Sequence, residues 1–393
     1  MKKIKICLIA NLQSPHNLKL AESLSHNKNL EIYFITPYKN QYSDIKTYYI
    51  PFKPSSNLLL TLINHYKFVK KAKAIIKDIK PDVIHGQSLN FYGIWAYLTG
   101  FCPLVVTLWG SDVNNYEKYF WPEKILIKKT LKKANLILTN SLIGSGNKAI
   151  KIGADPKKIK LMQFGIDLNV FRSGKTSSLK EKLNLQNKKI LFCPRSIQAI
   201  YNIDVLIRAF AKVAQKRKDL ILAIFEPGND IYGENIKKLI DNFKLKNQIV
   251  FLPKVDNKDM VQYYLLADLV VMLASSEGCS SSFMEAMAME KKIVLTDLPF
   301  LEEWPGNYWK VPGHSSKKGK SVKTILEEWP GNYWKVPVRN TAVTSKKIND
   351  ALKATDFTTL GRKNRELIRK NGEIVENFSR LENYYRQLVK NKV

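Results

Sequence analysis

The residues best suited to chemistry stand together in one stretch, SSEGCSSSFMEAMAMEKKIVLTD. Glu277 and Glu285 are eight positions apart in it, separated by Gly278, Cys279 and three serines that lead into a helical pattern. Such a turn at a helix N-terminus offers free backbone N–H groups and the positive end of the helix dipole, which suit phosphate or sugar oxygens. Glu285 could then accept hydrogen bonds from a vicinal diol such as ribose. Taken alone, either glutamate could be an ordinary loop or helix acid; the whole string predicts a binding site.

The composition narrows the class of protein. The 393 residues exceed the usual size of a single core, so we expect two domains. The net charge of +30 favours anionic partners, although a surface generally rich in lysine is an equal alternative. The lysines form no nucleic-acid recognition signature, so we expect no nucleic-acid partner. The four cysteines lack CxxC spacing, and with no signal peptide or membrane-spanning run in view we expect a cytosolic protein.

The strands and helices that would position the site are predicted by the alternation of short apolar runs with amphipathic segments. Five runs in each half, such as IKICLIA and ADLVVMLAS, are typical of buried parallel strands. This pattern predicts an α/β fold of two doubly wound, Rossmann-like domains facing across a cleft, at residues 1–173 and 174–374. A C-terminal helix, about 375–393, is expected to pack back on the first domain. Ligands of such sheets bind beyond the carboxyl ends of the strands, so the cleft is the expected site.

Beyond the glutamate string, further motifs extend a resemblance over nearly the whole chain: PDVIHGQ, PLVVTLWGSD, FGIDLNVF and PRSIQAIYNIDVLIRAF. Together they resemble retaining glycosyltransferases of the GT-B fold, family 4 type (glycosyl transferases group 1). The resemblance implies transfer of a sugar from a nucleotide-diphosphate sugar without a metal. It implies that Arg195 grips the diphosphate and that Glu277 contacts the donor sugar. It also assigns Glu285 to the ribose, with backbone contacts from Gly278, Cys279, Ser280 and Ser281.

Three departures from the family pattern concern the site. Many members carry a Lys-Gly pair after the arginine; here the sequence is YNID, so we expect Asn202 to replace that cation, with Lys254 as a compensating donor contact. Trp109 stands where many members have histidine. The N-terminal glycine pair is replaced by ANLQSPHN, which contains His16. On the acceptor side we therefore predict His16, His85, Trp109 and Asp112, with His85 open between a site residue and a satisfied histidine.

We expect the positive charge at the site to come from a protein side chain rather than from a metal ion. The sequence has no D-x-D motif and no cluster of His, Asp and Glu at metal-ligand spacing, so we expect no metal and no cofactor. Arg195 would instead stabilise the charge that builds on the leaving diphosphate. The segment LLLTLINHYKFVKKAKAIIKDIK predicts a basic amphipathic helix that could contact an anionic membrane at its inner face, unless its lysines simply face water.

These observations favour a glycosyltransferase that acts on a glycan or lipid-linked acceptor in surface polysaccharide assembly. Two alternatives remain open at this point. A nucleotide-sugar epimerase on the same architecture would need no glycan acceptor, and a degenerate, non-catalytic binding protein would retain the fold alone.

One feature stands outside that pattern, a duplicated segment at 301–337. LEEWPGNYWKVP occurs at Leu301–Pro312 and again at Leu326–Pro337, with a lysine-rich spacer between the copies. Two copies are too few for a repeat architecture. One copy suffices for the connection and strand that the sheet needs here, so we expect an insertion rather than a working module.

Overall fold

The computed structural model describes residues 3–39, 45–174, 178–275, 277–304, 333–336, 340–355 and 358–391. The described chain forms two compact units. One comprises the residues up to Phe164 together with those from Ile374 onward, and the other runs from Gly165 to Glu373. The division after Phe164 lies nine residues before the boundary expected from the sequence.

The first unit is built around a seven-stranded parallel sheet in the order β3-β2-β1-β4-β5-β6-β7. Its strands are β1 (Ile4–Ile9), β2 (Leu30–Thr36), β3 (Thr47–Tyr49), β4 (Val83–Gln87), β5 (Leu104–Leu108), β6 (Leu136–Thr139) and β7 (Ile159–Leu161). Its α-helices are α1 (Pro15–Ser25), α2 (Leu58–Ile79), α3 (Ile94–Leu98), α4 (Ser111–Asn114), α5 (Trp121–Lys133), α6 (Asn147–Ile152) and the C-terminal helix (Ile374–Lys390). Strands β4, β5 and β6 are buried along their whole length, as expected where helices cover both faces of a parallel sheet.

The second unit contains a six-stranded parallel sheet in the order β10-β9-β8-β11-β12-β13. Its strands are β8 (Lys189–Phe192), β9 (Leu220–Phe225), β10 (Ile249–Leu252), β11 (Leu269–Met272), β12 (Lys292–Thr296) and β13 (Tyr333–Val336). Its α-helices are α7 (Ser178–Lys182), α8 (Ile203–Ala214), α9 (Ile231–Asn242), α10 (Met260–Leu266), α11 (Ser281–Ala288), α12 (Thr341–Lys353) and α13 (Thr358–Asn371). The expected class of two doubly wound α/β domains is confirmed.

Strand order fixes where each sheet can hold a ligand. In the second unit β8 pairs with β9 on one side and with β11 on the other, so the connections leave β8 in opposite directions. In the first unit β1 has the same place between β2 and β4. Such switch points leave a crevice beyond the carboxyl ends of the central strands. The segments after β8 and β11 therefore lie side by side, and these segments contain Arg195 and Glu277.

The C-terminal helix completes the core of the first unit. The helix contributes three buried side chains, Phe378, Leu381 and Tyr385. They pack against apolar side chains of β1, β2, β4 and β6. Hydrogen bonds also hold this helix in place. The side-chain amides of Asn27 and Asn29 donate to the carboxylate of Glu382 at 2.7 and 3.0 Å. The chain thus closes its first domain with its last helix.

The duplicated segment contributes to the second unit from both of its copies. The first copy begins inside the core: Leu301 and Trp304 are buried, and the Trp304 ring packs edge-on against Phe283 with centroids 6.0 Å apart. The second copy supplies β13, which pairs in parallel with β12 from Ile293↔Tyr333 to Thr296↔Val336. The fold therefore uses the turn of one copy and the strand of the other, rather than one whole copy as expected. Residues 305–332 and 337–339 lie outside the described part.

Deleting residues 301–325 is expected to leave the fold and ligand binding intact. The deletion rejoins the β12 connection to an unaltered copy of the twelve-residue sequence, so every described contact has the same residue types available. Shortening a connection changes its closure entropy by only about 0.6 kcal/mol per halving, so the melting temperature should stay level or rise slightly. Thermal melts, light scattering and nucleotide binding test this. A deletion variant that folds but loses ligand binding would show that the duplication is a working module.

Candidate functional site

The glutamate string forms a strand, a turn and a helix at the carboxyl end of the second sheet. Glu277 lies in the turn after β11, where Gly278, Cys279 and Ser280 are buried. Ser280 caps the N-terminus of α11, its Oγ accepting a hydrogen bond from the backbone N–H of Phe283 at 3.2 Å. Ser281 is the first residue of the helix. Burial raises the pKa of the Cys279 thiol well above its usual value, so its side chain is an uncharged part of the core.

Arg195 reaches this turn from the neighbouring strand. It follows β8 by three residues, and its guanidinium forms an ion pair with Glu277. The side chains of the two residues are only 11% and 16% exposed. Nη1 of Arg195 also donates to Ser282 Oγ at 3.4 Å, while Nε is buried and has no hydrogen-bond partner among the described residues. The turn thus holds a largely desolvated cation with an unused donor, which an incoming anion could satisfy.

A small cavity lies beside Glu277 at the ends of β11 and β12. Glu277, Ser280 and Thr296 line it together with apolar side chains, including Phe283 and Phe300. The Thr296 hydroxyl is buried and makes no hydrogen bond among the described residues. A buried hydroxyl without a partner is uncommon, so this cavity offers a second polar contact to a ligand bound near Glu277.

Glu285, the second acid of the string, is held firmly on α11. It is 3% exposed, and its carboxylate accepts hydrogen bonds from Tyr264 Oη at 2.9 Å and from Asn257 Nδ2 at 2.8 Å. Burial and the charge of Glu285 raise the pKa of Tyr264 well above its usual value. Sequence reasoning missed Tyr264 and Asn257. The only available signal for Tyr264 was its place on the apolar face of MVQYYLL, where a tyrosine needs a polar partner.

Asn202 does not have the role expected for it. Its side chain is fully buried, and its amide donates to the carbonyl of Leu273 at 2.6 Å and to Ser275 Oγ at 2.8 Å. The prediction that Asn202 contacts the donor is therefore wrong. Its backbone is left-handed (φ 50°, ψ 44°), a conformation that favours glycine or asparagine. Asn202 thus corresponds to the glycine of the family's Lys-Gly pair, and Tyr201 corresponds to the lysine.

Lys254 lies apart from these residues. It is exposed, two positions after β10, at the edge of the sheet. In the strand order β9 separates β10 from β8, so the structure does not place Lys254 on the strand next to that of Arg195. Its contact with a donor stays a prediction.

On the first unit, His85 is a satisfied core histidine. It is fully buried in β4, with Nδ1 2.7 Å from Tyr385 Oη and Nε2 2.7 Å from Thr107 Oγ1. Burial lowers the pKa of His85 from 6.5 to about 3. Of the two alternatives left open for His85, the structure favours the satisfied histidine, because both ring nitrogens have partners and neither is accessible.

A buried neutral histidine makes stability depend on pH. Below about pH 6.5 the unfolded chain binds a proton at His85 that the folded chain does not bind until about pH 3. The free energy of unfolding should therefore fall as pH falls through this window, with up to about 1.4 kcal/mol per pH unit from His85 alone. Denaturant unfolding between pH 7 and 4 measures the slope. His85→Asn should show a shallower slope, and equal slopes would contradict this account.

Asp112 is also a structural residue. It is 1% exposed, and its carboxylate accepts backbone hydrogen bonds from Leu89, Trp109, Gly110 and Val113 at 2.9 to 3.2 Å. Burial raises the pKa of Asp112, and these four donors oppose that shift. Its expected contact with an acceptor is wrong, because the carboxylate holds together the loops that follow β4 and β5.

His16 and Trp109 are brought together, as expected of partners in one site. Their ring centroids are 5.2 Å apart, and Trp109 also stacks on Phe164 at 4.5 Å with an interplanar angle of 12°. His16 is exposed at the start of α1 and Trp109 is half-buried after β5. Both lie beyond the carboxyl ends of their strands, so they are the acceptor-side candidates that remain accessible.

Neither metal-ligand clusters nor membrane spans were found in the described residues. Within them no group of three or more His, Cys, Asp or Glu side chains could hold a metal ion. None of the described helices is both long and apolar enough to cross a bilayer.

The paired Rossmann-like domains, with a serine-rich turn and a buried arginine at one switch point, have the architecture of GT-B glycosyltransferases. Residues 5–141 match the family model for glycosyl transferase 4-like proteins, and residues 175–308 match the model for glycosyl transferases group 1. Over the described residues, each match falls within one of the two units. The N-terminal segment is therefore similar to glycosyl transferase 4-like proteins, and the second segment is similar to glycosyl transferases group 1.

Individual relatives agree with these matches. D-inositol 3-phosphate glycosyltransferase of Mycobacterium sp. (strain KMS) is 26% identical over 170 residues, 42% of this chain and 38% of the relative. Alpha-monoglucosyldiacylglycerol synthase of Streptococcus pneumoniae is 24% identical over 255 residues, 60% of this chain and 56% of the relative. The matches therefore span less than two thirds of either relative. The crystal structure of Anabaena Alr3699/HepE with UDP and glucose shares the fold, with a TM-score of 0.75, 17% identity and coverage of 98% and 100% of the two chains.

Proposed function

We propose that this protein transfers a sugar from a nucleoside-diphosphate sugar to an acceptor, with retention of configuration at the anomeric carbon. The observation that carries the proposal is the pairing of Arg195 and Glu277 at the N-terminus of α11, with Arg195 Nε buried and without a hydrogen-bond partner among the described residues. An anion bound there would meet a desolvated guanidinium and the positive end of the α11 dipole together.

Each residue of the site has a distinct proposed task. Arg195 and the first N–H groups of α11 stabilise the charge that grows on the diphosphate as the bond to the sugar breaks. Glu277 faces the donor sugar, and Glu285 accepts from the ribose hydroxyls, displacing or sharing the contact from Asn257. The diphosphate oxygen accepts the proton of the attacking hydroxyl on the same face of the sugar, so that retention follows without a metal.

The relatives support the choice of donor and acceptor class. The similar Anabaena structure contains UDP and glucose, which supports a nucleotide-sugar donor. By their names, the first of the two enzymes above glycosylates D-inositol 3-phosphate, and the second makes alpha-monoglucosyldiacylglycerol. We propose a glycan or lipid-linked acceptor and a role in surface polysaccharide assembly.

A ligand panel tests the donor proposal. UDP, GDP, ADP, dTDP and their glucose derivatives are screened by thermal shift, because a ligand at 100 times its dissociation constant adds about 2.7 kcal/mol of stability. The tightest sugar nucleotide is then incubated with candidate acceptors, and mass gain on an acceptor is measured. Interconversion of the free sugar nucleotide without mass gain would favour an epimerase, and binding without any reaction would favour a non-catalytic protein. Loss of activity in EDTA would contradict the metal-free mechanism.

The surface of α2 supports an acceptor held at a membrane. Large apolar side chains are exposed along its first turns: Leu58, Leu59, Leu60, Leu62, Ile63 and Tyr66 are 38% to 67% exposed. Lysines follow on the next turns, with Lys67, Lys71 and Lys77 all exposed. Apolar side chains beside cations are complementary to the surface of an anionic bilayer. We propose that α2 contacts such a bilayer at the inner membrane face, while the rest of the protein stays in the cytoplasm.

Liposome sedimentation should detect this contact. The protein is expected to pellet with anionic liposomes, to release as salt rises, and to bind neutral liposomes weakly. Reversing Lys67, Lys71 and Lys77 to glutamate should reduce pelleting severalfold, because each lysine near such a surface contributes about 1 kcal/mol. A matched control reverses three exposed lysines of the second unit, Lys212, Lys216 and Lys238. Equal losses in the two triple variants would indicate diffuse charge rather than a surface on α2.

A further inference from the structure

Tyr201 stands where the family pattern has a second cation. It ends a short turn (Ala199–Tyr201) between β8 and α8, and the Arg195 guanidinium carbon lies 4.5 Å from the centre of its ring. This distance is well within the about 6 Å over which a ring face attracts a cation. Nε of Arg195 has no hydrogen-bond partner among the described residues.

A ring suits this place better than a lysine would in the absence of ligand. Arg195 is already largely buried, and Glu277 supplies a single negative charge beside it. A second buried cation would repel Arg195 and need its own counterion. The face of Tyr201 attracts the guanidinium without adding charge, and stacking restricts the planar group to few orientations.

The turn that carries Tyr201 is itself tied to the loop that carries Glu277. The backbone N–H of Ser275 donates to the carbonyl of Ile200 at 2.8 Å. The neighbouring Asn202 side-chain amide donates hydrogen bonds to the carbonyl of Leu273 and to Ser275 Oγ, as described above. The ring is therefore placed by three hydrogen bonds to the same loop that places the partner of Arg195.

We propose that Tyr201 is a positioning residue, which orients Arg195 toward the donor diphosphate in place of a second cation. This inference rests on the proposed function, since it concerns the same donor site. It predicts that the ring matters only through Arg195 and only for ligands that carry the diphosphate.

The test compares Tyr201→Ala with Tyr201→Phe. UDP, GDP, ADP and dTDP are titrated into the wild type by calorimetry, and the tightest binder is taken forward with its own nucleoside as the diphosphate-free probe. Tyr201→Ala should weaken the diphosphate about tenfold, as expected for a desolvated cation–ring contact. Affinity for the nucleoside, measured by competition, should stay unchanged. Tyr201→Phe retains the ring face and should restore wild-type affinity.

A double variant distinguishes positioning of Arg195 from a general loss of structure at the site. In Arg195→Gln, adding Tyr201→Ala should cause no further loss of diphosphate affinity, because the ring then has no cation to orient. Independent losses in the double variant, equal losses for diphosphate and nucleoside, or no rescue by Tyr201→Phe would each overturn the inference while leaving the proposed function standing. A wild type that binds none of the four diphosphates would instead contradict the proposed function and the inference with it.

Discussion

Replacing Arg195 by glutamine is expected to weaken nucleoside-diphosphate binding by about 10- to 100-fold and to abolish useful transfer. A hydrogen bond to a charged group contributes about 1.5–3 kcal/mol, and no other cation is described in contact with the turn before α11. Affinity is measured by calorimetry with the diphosphate and with its nucleoside. The nucleoside should bind both proteins equally, because it lacks the group that Arg195 contacts.

Arg195→Lys is the matched control for this experiment. It retains the charge but loses the planar fork that can hold two oxygens at once, so its affinity should fall between those of the wild type and the glutamine variant. Melting temperatures identify damage to the fold. A glutamine variant that folds and binds the diphosphate as tightly as the wild type would remove Arg195 from the donor site.

Replacing Glu277 by glutamine should have the opposite signature, with turnover about 100-fold lower and nucleotide affinity preserved or improved. In the structure its carboxylate neutralises Arg195, so a bound diphosphate must compete with Glu277 for the guanidinium. Removing that charge makes the arginine more available to the ligand, while the donor sugar loses its carboxylate contact. Calorimetry with the diphosphate and initial rates with the complete donor separate the two effects.

Glu285→Ala provides the comparison within the same string. It should weaken nucleotide binding and also destabilise the fold by about 1–3 kcal/mol, because the buried Tyr264 hydroxyl loses its carboxylate acceptor. If both glutamate variants lost nucleotide affinity equally, the proposed division of tasks between them would be incorrect.

The sequence predicted the elements of this site because their patterns are local. Buried parallel strands are recognisable in the sequence as continuous apolar runs. A serine-rich turn before a helix is likewise recognisable from about ten consecutive residues. Since neighbouring parallel strands end at the same edge, the pairing of β8 with β11 in the structure brings Arg195 toward Glu277. The sequence analysis assigned both residues to the donor, but their ion pair is visible only in the structure.

Where prediction failed, the cause was burial, which residue type alone does not reveal. His85 and Asp112 follow the same strand-end logic as Arg195, yet each has its polar atoms occupied by protein partners. One partner of His85 is Tyr385, 300 residues away on the C-terminal helix. The sequence predicts Asn202 in place of the family's lysine, because the left-handed backbone of Asn202 is not visible in the sequence. The ring of Tyr201 over Arg195 likewise depends on how the turn is folded.

The connection between β12 and β13 has a practical consequence for engineering. Trp304 packs in the core at one side of residues 305–332, and Tyr333 begins a paired strand at the other. The sheet therefore keeps its register around a long span, most of which we expect to be dispensable. Such a span is a natural host site for a guest sequence, for instance an affinity tag or a fluorescent reporter. A guest placed there would leave both termini unmodified, including the C-terminal helix whose Tyr385 contacts the first domain's core.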